Sequence, residues 1–69
     1  MNSEQKVTKY RNVTLSRTTD RGRLRSQTKV ARSMFKIMGQ CIKAGGAVTM
    51  NTWYDGEAEK ADMTLEWPV

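Results

Sequence analysis

The 69-residue sequence contains no histidine and only one cysteine, Cys41. An internal disulfide therefore cannot form, and a zinc site of the usual Cys/His kind cannot be assembled. No apolar run approaches the ~18 residues that a membrane span requires, and the N-terminal residues lack the apolar stretch of a signal peptide. These absences predict a cytoplasmic protein without a metal, a cofactor or a membrane partner, stabilised by packing or by association.

The chain is too short for a large core. A chain of this length hides only about 60% of the surface that it exposes when unfolded. Hydrophobic residues make up 38% of the sequence and charged residues 28%, which places it among globular rather than disordered chains. We therefore expect residues 1–69 to form a single small domain with a thin core.

Acidic residues are scarce in the first two thirds of the chain. Residues 1–43 hold eleven Lys or Arg against two acids, whereas residues 44–69 hold one Lys against five acids. The net charge of +5 is thus divided into +9 and −4. No acidic residue lies between Arg21 and Tyr54. Solvated surfaces ordinarily mix both signs, so this segregation indicates a surface suited to a charged partner.

Apolar residues recur at helical spacing over residues 27–44, which predicts one amphipathic helix. Ser26 is the expected N-cap, and Gly45 follows the expected last turn. Gly39 interrupts the pattern and suggests that a neighbouring element approaches closely there. Cys41 falls on the apolar side, which predicts a buried, inert thiol. The predicted apolar face spans about 160° at ~100° per residue and consists of Val30, Ala31, Met34, Phe35, Ile37, Met38, Cys41 and Ile42.

Alternating polarity predicts three strands. Residues 47–54 and 61–67 are rich in β-branched and aromatic residues, and Asp55-Gly56 is a turn signal within a longer connecting loop. Residues 6–17 form the first strand, whose partner the sequence leaves open. The predicted fold is α+β, a small antiparallel β-sheet packed on one amphipathic helix in the order β-α-β-β. The unpaired edges of such a sheet favour a homodimer.

Cations form a second stripe on the predicted helix, almost opposite the apolar face. Residues 18–25, just before the helix, have no apolar periodicity and are predicted to form a loop with arginines at alternate positions. Long, flexible cations can follow the phosphates of a nucleic acid, and helix N-terminal amides also favour anions. The candidate nucleic-acid-binding residues are Arg21, Arg23, Arg25, Lys29, Arg32, Lys36 and Lys43.

The aromatic residues allow two interpretations. Tyr10, Trp53, Tyr54 and Trp67 can pack in the thin core or stack on the bases of a single strand. Core packing is the favoured interpretation. Trp53 is the better candidate for stacking, because alternation places it on the opposite face of its strand from Tyr54 and from the apolar residues.

The acidic residues of the C-terminal hairpin offer no catalytic arrangement. Asp55, Glu57 and Glu59 surround the predicted loop, with Asp62 and Glu66 on the final strand. Carboxylates alone, without a histidine or a nucleophile beside them, do not indicate catalysis or metal binding. We therefore predict a protein that is not an enzyme.

Three fragments resemble the small phage Cro-type repressors. They are EQKVT at residues 4–8, QTKVAR at residues 27–32 and IKAG at residues 42–45, and together they contain 15 of the 69 residues. The resemblance implies a helix-turn-helix, opened by the second fragment and closed by the third. The uninterrupted periodicity of residues 32–43 instead predicts one helix without a turn, and no base-reading residues are carried over from the family.

These observations predict a small nucleic-acid-binding protein that contacts the backbone of DNA or RNA through its arginine loop and basic helix face. A regulator of phage or mobile-element type would fit this description. Such contacts hold and position a nucleic acid without reading its sequence. The alternative is a protein-interaction module or inhibitor that docks on an acidic host protein through the same charged surfaces.

Overall fold

The computed structural model describes residues 6–18 and 25–69. These residues form a four-stranded antiparallel sheet with one helix packed on it. The order of elements is β1 (Val7–Thr18), β2 (Arg25–Gln27), α1 (Lys29–Lys43), β3 (Ala47–Asp55) and β4 (Ala58–Glu66). The strands lie in the spatial order β2-β1-β4-β3. The predicted α+β class and β-α-β-β order are confirmed, and the short β2 adds one further strand.

The sequence did not indicate which strand pairs with β1. In the structure, β1 lies between β2 and β4. Residues 16–18 of β1 pair with residues 25–27, so that Thr18 lies opposite Arg25. The predicted arginine loop is therefore the connection of a β-hairpin, and its residues 19–24 lie outside the described part of the chain. A three-residue strand is too short to show periodicity, which is why the pattern of the sequence did not indicate it.

Helix α1 begins at Lys29, with Thr28 rather than Ser26 as its N-cap. The Thr28 hydroxyl accepts a hydrogen bond from the Ala31 N–H at 3.0 Å and donates one to the Thr14 carbonyl at 2.6 Å. The Thr28 N–H also donates to the Leu15 carbonyl at 3.2 Å. Ser26 belongs to β2, so the helix starts two residues later than expected. Thr28 both caps α1 and fastens its first turn to β1.

Replacing Thr28 tests this double role. We expect Thr28→Ala to lower the free energy of unfolding by about 1–2 kcal/mol, because the cap and the bond to β1 are lost together. Thr28→Ser keeps the hydroxyl and should lose much less. Urea denaturation followed by circular dichroism measures both variants. Equal losses for alanine and serine would contradict the assignment.

The core lies between α1 and one face of the sheet, called here the inner face. Strand β4 is central in this core, because its inner residues Ala61, Met63 and Leu65 are completely buried. The predicted apolar face of α1 is only partly covered, since Val30 and Ile42 at its margins remain 54% and 57% exposed. The buried core consists of Val13, Leu15, Ala31, Met34, Cys41, Ala61, Met63 and Leu65.

Two bulges interrupt the pairing of β1 with β4. Its register against β4 shifts once between Tyr10 and Val13 and again between Thr14 and Ser16. Asn12 has a left-handed φ of 53° at the first bulge, and its N–H donates to Asp62 Oδ1 at 2.8 Å. Bulges re-aim side chains and increase local twist. Here they accompany a β1 whose Val13 and Leu15 are both buried in the core.

Close approach to a glycine occurs at Gly46 and not at Gly39. A Cβ atom on Gly46 would lie 2.5 Å from Cys41 Sγ and 2.5 Å from the Glu66 carbonyl oxygen, whereas a Cβ atom on Gly39 would meet nothing within 4 Å. The prediction of a close neighbour at Gly39 is therefore wrong. Gly45, with φ of 92°, provides the left-handed exit from the helix, as the sequence indicated.

The two glycines give opposite predictions for the same substitution. Gly39→Ala should stabilise the protein by up to about 1 kcal/mol, because alanine is the better helix former and there is open space. Gly46→Ala should destabilise it by about 1–3 kcal/mol, because both neighbours must move. The midpoints of urea unfolding measure the difference. A stabilising Gly46→Ala would contradict the packing of the α1–β3 connection against Glu66.

The C-terminal hairpin is tighter than predicted. Asp55 pairs with Ala58, so the turn contains only Gly56 and Glu57. Gly56 has a φ of 64°, which two-residue hairpin turns require and glycine readily adopts. The expected six-residue loop is wrong, because the strands extend to the turn itself.

Helix α1, of fifteen residues, is shorter than a membrane span. Within residues 6–18 and 25–69, no helix has the length and apolar character to cross a membrane.

Candidate nucleic-acid interface

Four of the predicted contact residues are brought together on the solvent side of α1. Lys29, Arg32, Lys36 and Lys43 are all exposed, while Ala31, Met34 and Cys41 are buried on the other side. We call these four residues the helix stripe. At ~1.5 Å per residue, the stripe extends about 21 Å along the helix axis. It is a linear array of cations that can meet several phosphates.

The charge of the helix stripe is not neutralised within the described part of the chain. The ion pair found there joins Arg11 Nη1 to Asp62 Oδ2 at 4.0 Å, on the sheet. The first turn of α1 contains no acidic residue, and Lys43 lies in its last turn, where the helix dipole favours a cation. The acidic hairpin therefore does not close over the stripe, and the four cations face water.

The hairpin formed by β1 and β2 immediately precedes α1. We call it the arginine hairpin, because Arg21, Arg23 and Arg25 lie in its connection and second strand. Arg25 lies in β2, and Lys29 follows the end of β2 by two residues. The side chain of Arg25 and all of Arg21 and Arg23 lie outside the described residues, so their predicted contacts remain predictions. Arg17 of β1 is also exposed, but it pairs with Ser26 of β2 and with Ala58 of β4, which places it on the same face of the sheet as Lys60 and not on the face that α1 covers.

The second face of the sheet, called here the outer face, carries no helix in the described structure. Trp53 of β3 lies on this face opposite Lys60 of β4, and it is half-buried. It is not among the side chains packed against the core. The expectation that alternation separates Trp53 from Tyr54 is confirmed, and core packing does not account for Trp53.

Trp67 and Tyr10 do pack against the core, as the favoured interpretation predicted. The Trp67 Nε1–H donates to the Thr8 hydroxyl at 3.0 Å, and the Trp67 N–H donates to the Lys6 carbonyl at 2.9 Å. The Lys6 ammonium lies 5.4 Å from the centre of the Trp67 ring, within the range of a cation–π contact. Trp67 thus fastens the end of the chain to β1.

The two tryptophans should respond differently to the same change. Trp67→Phe should cost about 1–2 kcal/mol of unfolding free energy, because a partly buried hydrogen bond and ring volume are lost. Trp53→Phe should change stability by less than about 0.5 kcal/mol, as surface substitutions usually do. Thermal unfolding measures both. A larger loss for Trp53→Phe would mean that the outer face contributes to the core.

Asp62, Glu59 and Cys41 make contacts within the fold. Asp62 binds the Asn12 N–H and Arg11, while Glu59 accepts a hydrogen bond from the Ser16 hydroxyl at 3.4 Å. The buried Cys41 thiol lies 3.9 Å from the Ala47 carbonyl and 3.7 Å from the Glu66 carbonyl, which confirms the predicted buried thiol. Residues 6–18 and 25–69 hold no group of three or more His, Cys, Asp or Glu side chains suited to a metal ion.

Comparison with known proteins adds no assignment to this geometry. No protein-family model, no curated protein and no solved structure matches the chain.

Proposed function

We propose that the protein is a small, non-enzymatic nucleic-acid-binding protein of the cytoplasm, with the helix stripe and the arginine hairpin as its contact surface. The observation that carries this proposal is the exposed, unneutralised row Lys29, Arg32, Lys36 and Lys43. The polymer is bound through its phosphates, so affinity arises from charge and from the release of counterions. Backbone contacts of this kind position the protein without specifying a base sequence.

The separation of functions between the two sides of α1 supports this proposal. The apolar side is used in packing, so the cations opposite it make no contribution to the core. A row of like charges destabilises a helix slightly, because neighbours at spacings of three and four residues repel one another. An anionic polymer that lies along such a row lowers the free energy of the helix by neutralising this repulsion. Nucleic acids supply closely spaced anions over the full length of the stripe.

A pair of matched variants tests the proposal. Lys29→Gln/Lys36→Gln/Lys43→Gln removes three charges from the helix stripe, and the sheet variant, Lys6→Gln/Lys9→Gln/Lys60→Gln, removes two charges from the sheet and one from the residue that precedes β1. Both variants have the same net charge. Fluorescence anisotropy with labelled single- and double-stranded DNA and RNA, at several salt concentrations, gives the dissociation constant and its salt dependence.

The helix-stripe variant should bind more weakly, and its log–log salt slope should be smaller in magnitude by about 2–3, because each lost phosphate contact removes about 0.7–0.9. The sheet variant should retain a slope close to that of the parent. Equal losses in both variants would show that only net charge matters and would contradict the helix stripe as the site. Replacing Arg21, Arg23 and Arg25 with Gln measures the contribution of the hairpin in the same assay.

Absence of binding near physiological salt would also contradict the proposal. In that case, recovery of one stoichiometric acidic protein from nuclease-treated lysate would favour the protein-interaction alternative. The same Lys→Gln variants then identify whether the helix stripe is its docking surface.

A further inference from the structure

The sheet has two long open edges among the described residues. On one side, β2 pairs only with residues 16–18 of β1, so the N-terminal part of β1 has no neighbour beyond it. At the opposite edge, β3 pairs with β4 through all nine of its residues, and the described part of the chain has no strand beyond β3. An open edge presents unpaired N–H and C=O groups to any other strand.

The edge of β1 is protected against strand addition. Lys9 and Arg11 project from this part of the strand as exposed charges, and the left-handed Asn12 lies at a bulge. A second bulge follows at residues 14–16. Charged residues and bulges are the usual means by which proteins prevent edge-to-edge pairing. Another strand cannot align along β1 without meeting both obstacles.

The edge of β3 has none of this protection. The strand AVTMNTWYD contains no Lys, Arg, Pro or Gly, and its single charge, Asp55, is at its last position. Its register against β4 continues without a bulge from Ala47 to Asp55. Met50, on the inner face, remains 41% exposed, because α1 does not cover this edge completely. The strand is thus regular, uncharged from Ala47 to Tyr54 and partly apolar.

We infer that β3 is the interface of a homodimer, in which two copies of β3 pair antiparallel about a two-fold axis at Asn51. This register uses all nine residues. It places Val48 opposite Tyr54 and Met50 opposite Thr52 of the second copy, on the inner face, so the partly exposed Met50 gains a neighbour. The two Asp55 carboxylates lie at opposite ends of the interface, about 27 Å apart at ~3.4 Å per residue, and do not repel.

A second copy fits this edge better than residues 19–24 of the same chain, which connect β1 to β2. These residues follow Thr18 of β1 and precede Arg25 of β2, and β2 and β3 are the two outermost strands of the sheet. Reaching the open edge of β3 requires crossing β1, β4 and β3, about 14 Å at ~4.8 Å per strand, and returning. Six residues cannot do this and also pair along nine. A second β3 has the required length and the same lack of charge.

The two-fold symmetry of this dimer places both helix stripes on one side of the sheet. A two-fold axis between antiparallel neighbours in one sheet is perpendicular to that sheet, so both α1 helices lie on the same face of the eight-stranded sheet. Since α1 contacts β1, β4 and β3, the two helices are roughly 15–20 Å apart at ~4.8 Å per strand. Two helix stripes then face the same side. The interface itself does not depend on the proposed function.

Charge complementation at Asn51 tests the interface directly. Asn51 is exposed and lies opposite its own copy, so Asn51→Lys places two cations together and Asn51→Asp places two carboxylates together. Analytical ultracentrifugation without nucleic acid should show a dimer for the parent and at least ten-fold weaker association for each variant alone. An equimolar mixture of the two variants should recover the dimer, because each Lys then meets an Asp.

Gln40→Lys, exposed on α1, is the control for added positive charge and should dimerise like the parent. Circular dichroism verifies that each variant is folded. A parent protein that remains monomeric at several hundred micromolar would overturn the inference. So would an Asn51→Lys variant that associates as tightly as Gln40→Lys, or a mixture that associates no better than its components.

Discussion

Within the described part of the chain, one helix alone covers the sheet, and the other features of the fold follow from this constraint. The core can form on one face only, so the other side of α1 and the outer face of the sheet both meet water. The buried residues Ala61, Met63 and Leu65 of β4 lie at the centre of this core and make the central strand indispensable. Charge can be concentrated on α1 because its solvent side takes no part in packing.

The two ends of α1 are fixed by contacts that a longer chain would distribute over more elements. Thr28 joins the first turn to β1 through two hydrogen bonds, to the Thr14 and Leu15 carbonyls, and accepts a third from the Ala31 N–H of the helix. At the other end, Gly46 allows the chain to pass close to the thiol of Cys41 and the carbonyl of Glu66. With both ends held, the helix stripe has a defined orientation relative to the sheet. Cations carried by a fixed helix lose less backbone conformational entropy on binding than cations carried by a loose segment.

The sequence predicted those features that depend on repetition. The apolar period of α1 specified both its buried side and its cationic side, and alternation placed Met50 and Trp53 on opposite faces of β3. Features that depend on a single contact were missed. Thr28 displaces Ser26 as the cap because Thr14 and Leu15 lie beside it, and the bulge at Asn12 depends on Asp62, fifty residues away. Neither partner is visible in a local pattern.

Some residues of the candidate site could be predicted from periodicity, whereas others depend on how the strands pair. The cations of the helix stripe were predictable, since exposure opposite an apolar face follows from helical geometry. The β1–β2 pairing that brings Arg25 next to β1 was not predictable, because a strand of three residues shows no periodicity. The open edge of β3 required the strand order, because the sequence does not say which of its strands will lie at the margin of the sheet. The exposed residues of one helix could therefore be predicted from the sequence, whereas the order and pairing of the strands could not.

Mapping of amide chemical shifts during a titration with short DNA and RNA oligonucleotides tests the central claim most directly. The helix stripe predicts that the largest changes occur at Lys29, Arg32, Lys36 and Lys43 and in the β1–β2 hairpin that precedes them. Small changes are expected at Asn51, Trp53 and Thr64 on the outer face. Changes confined to the outer face, or no changes at physiological salt, would contradict the account.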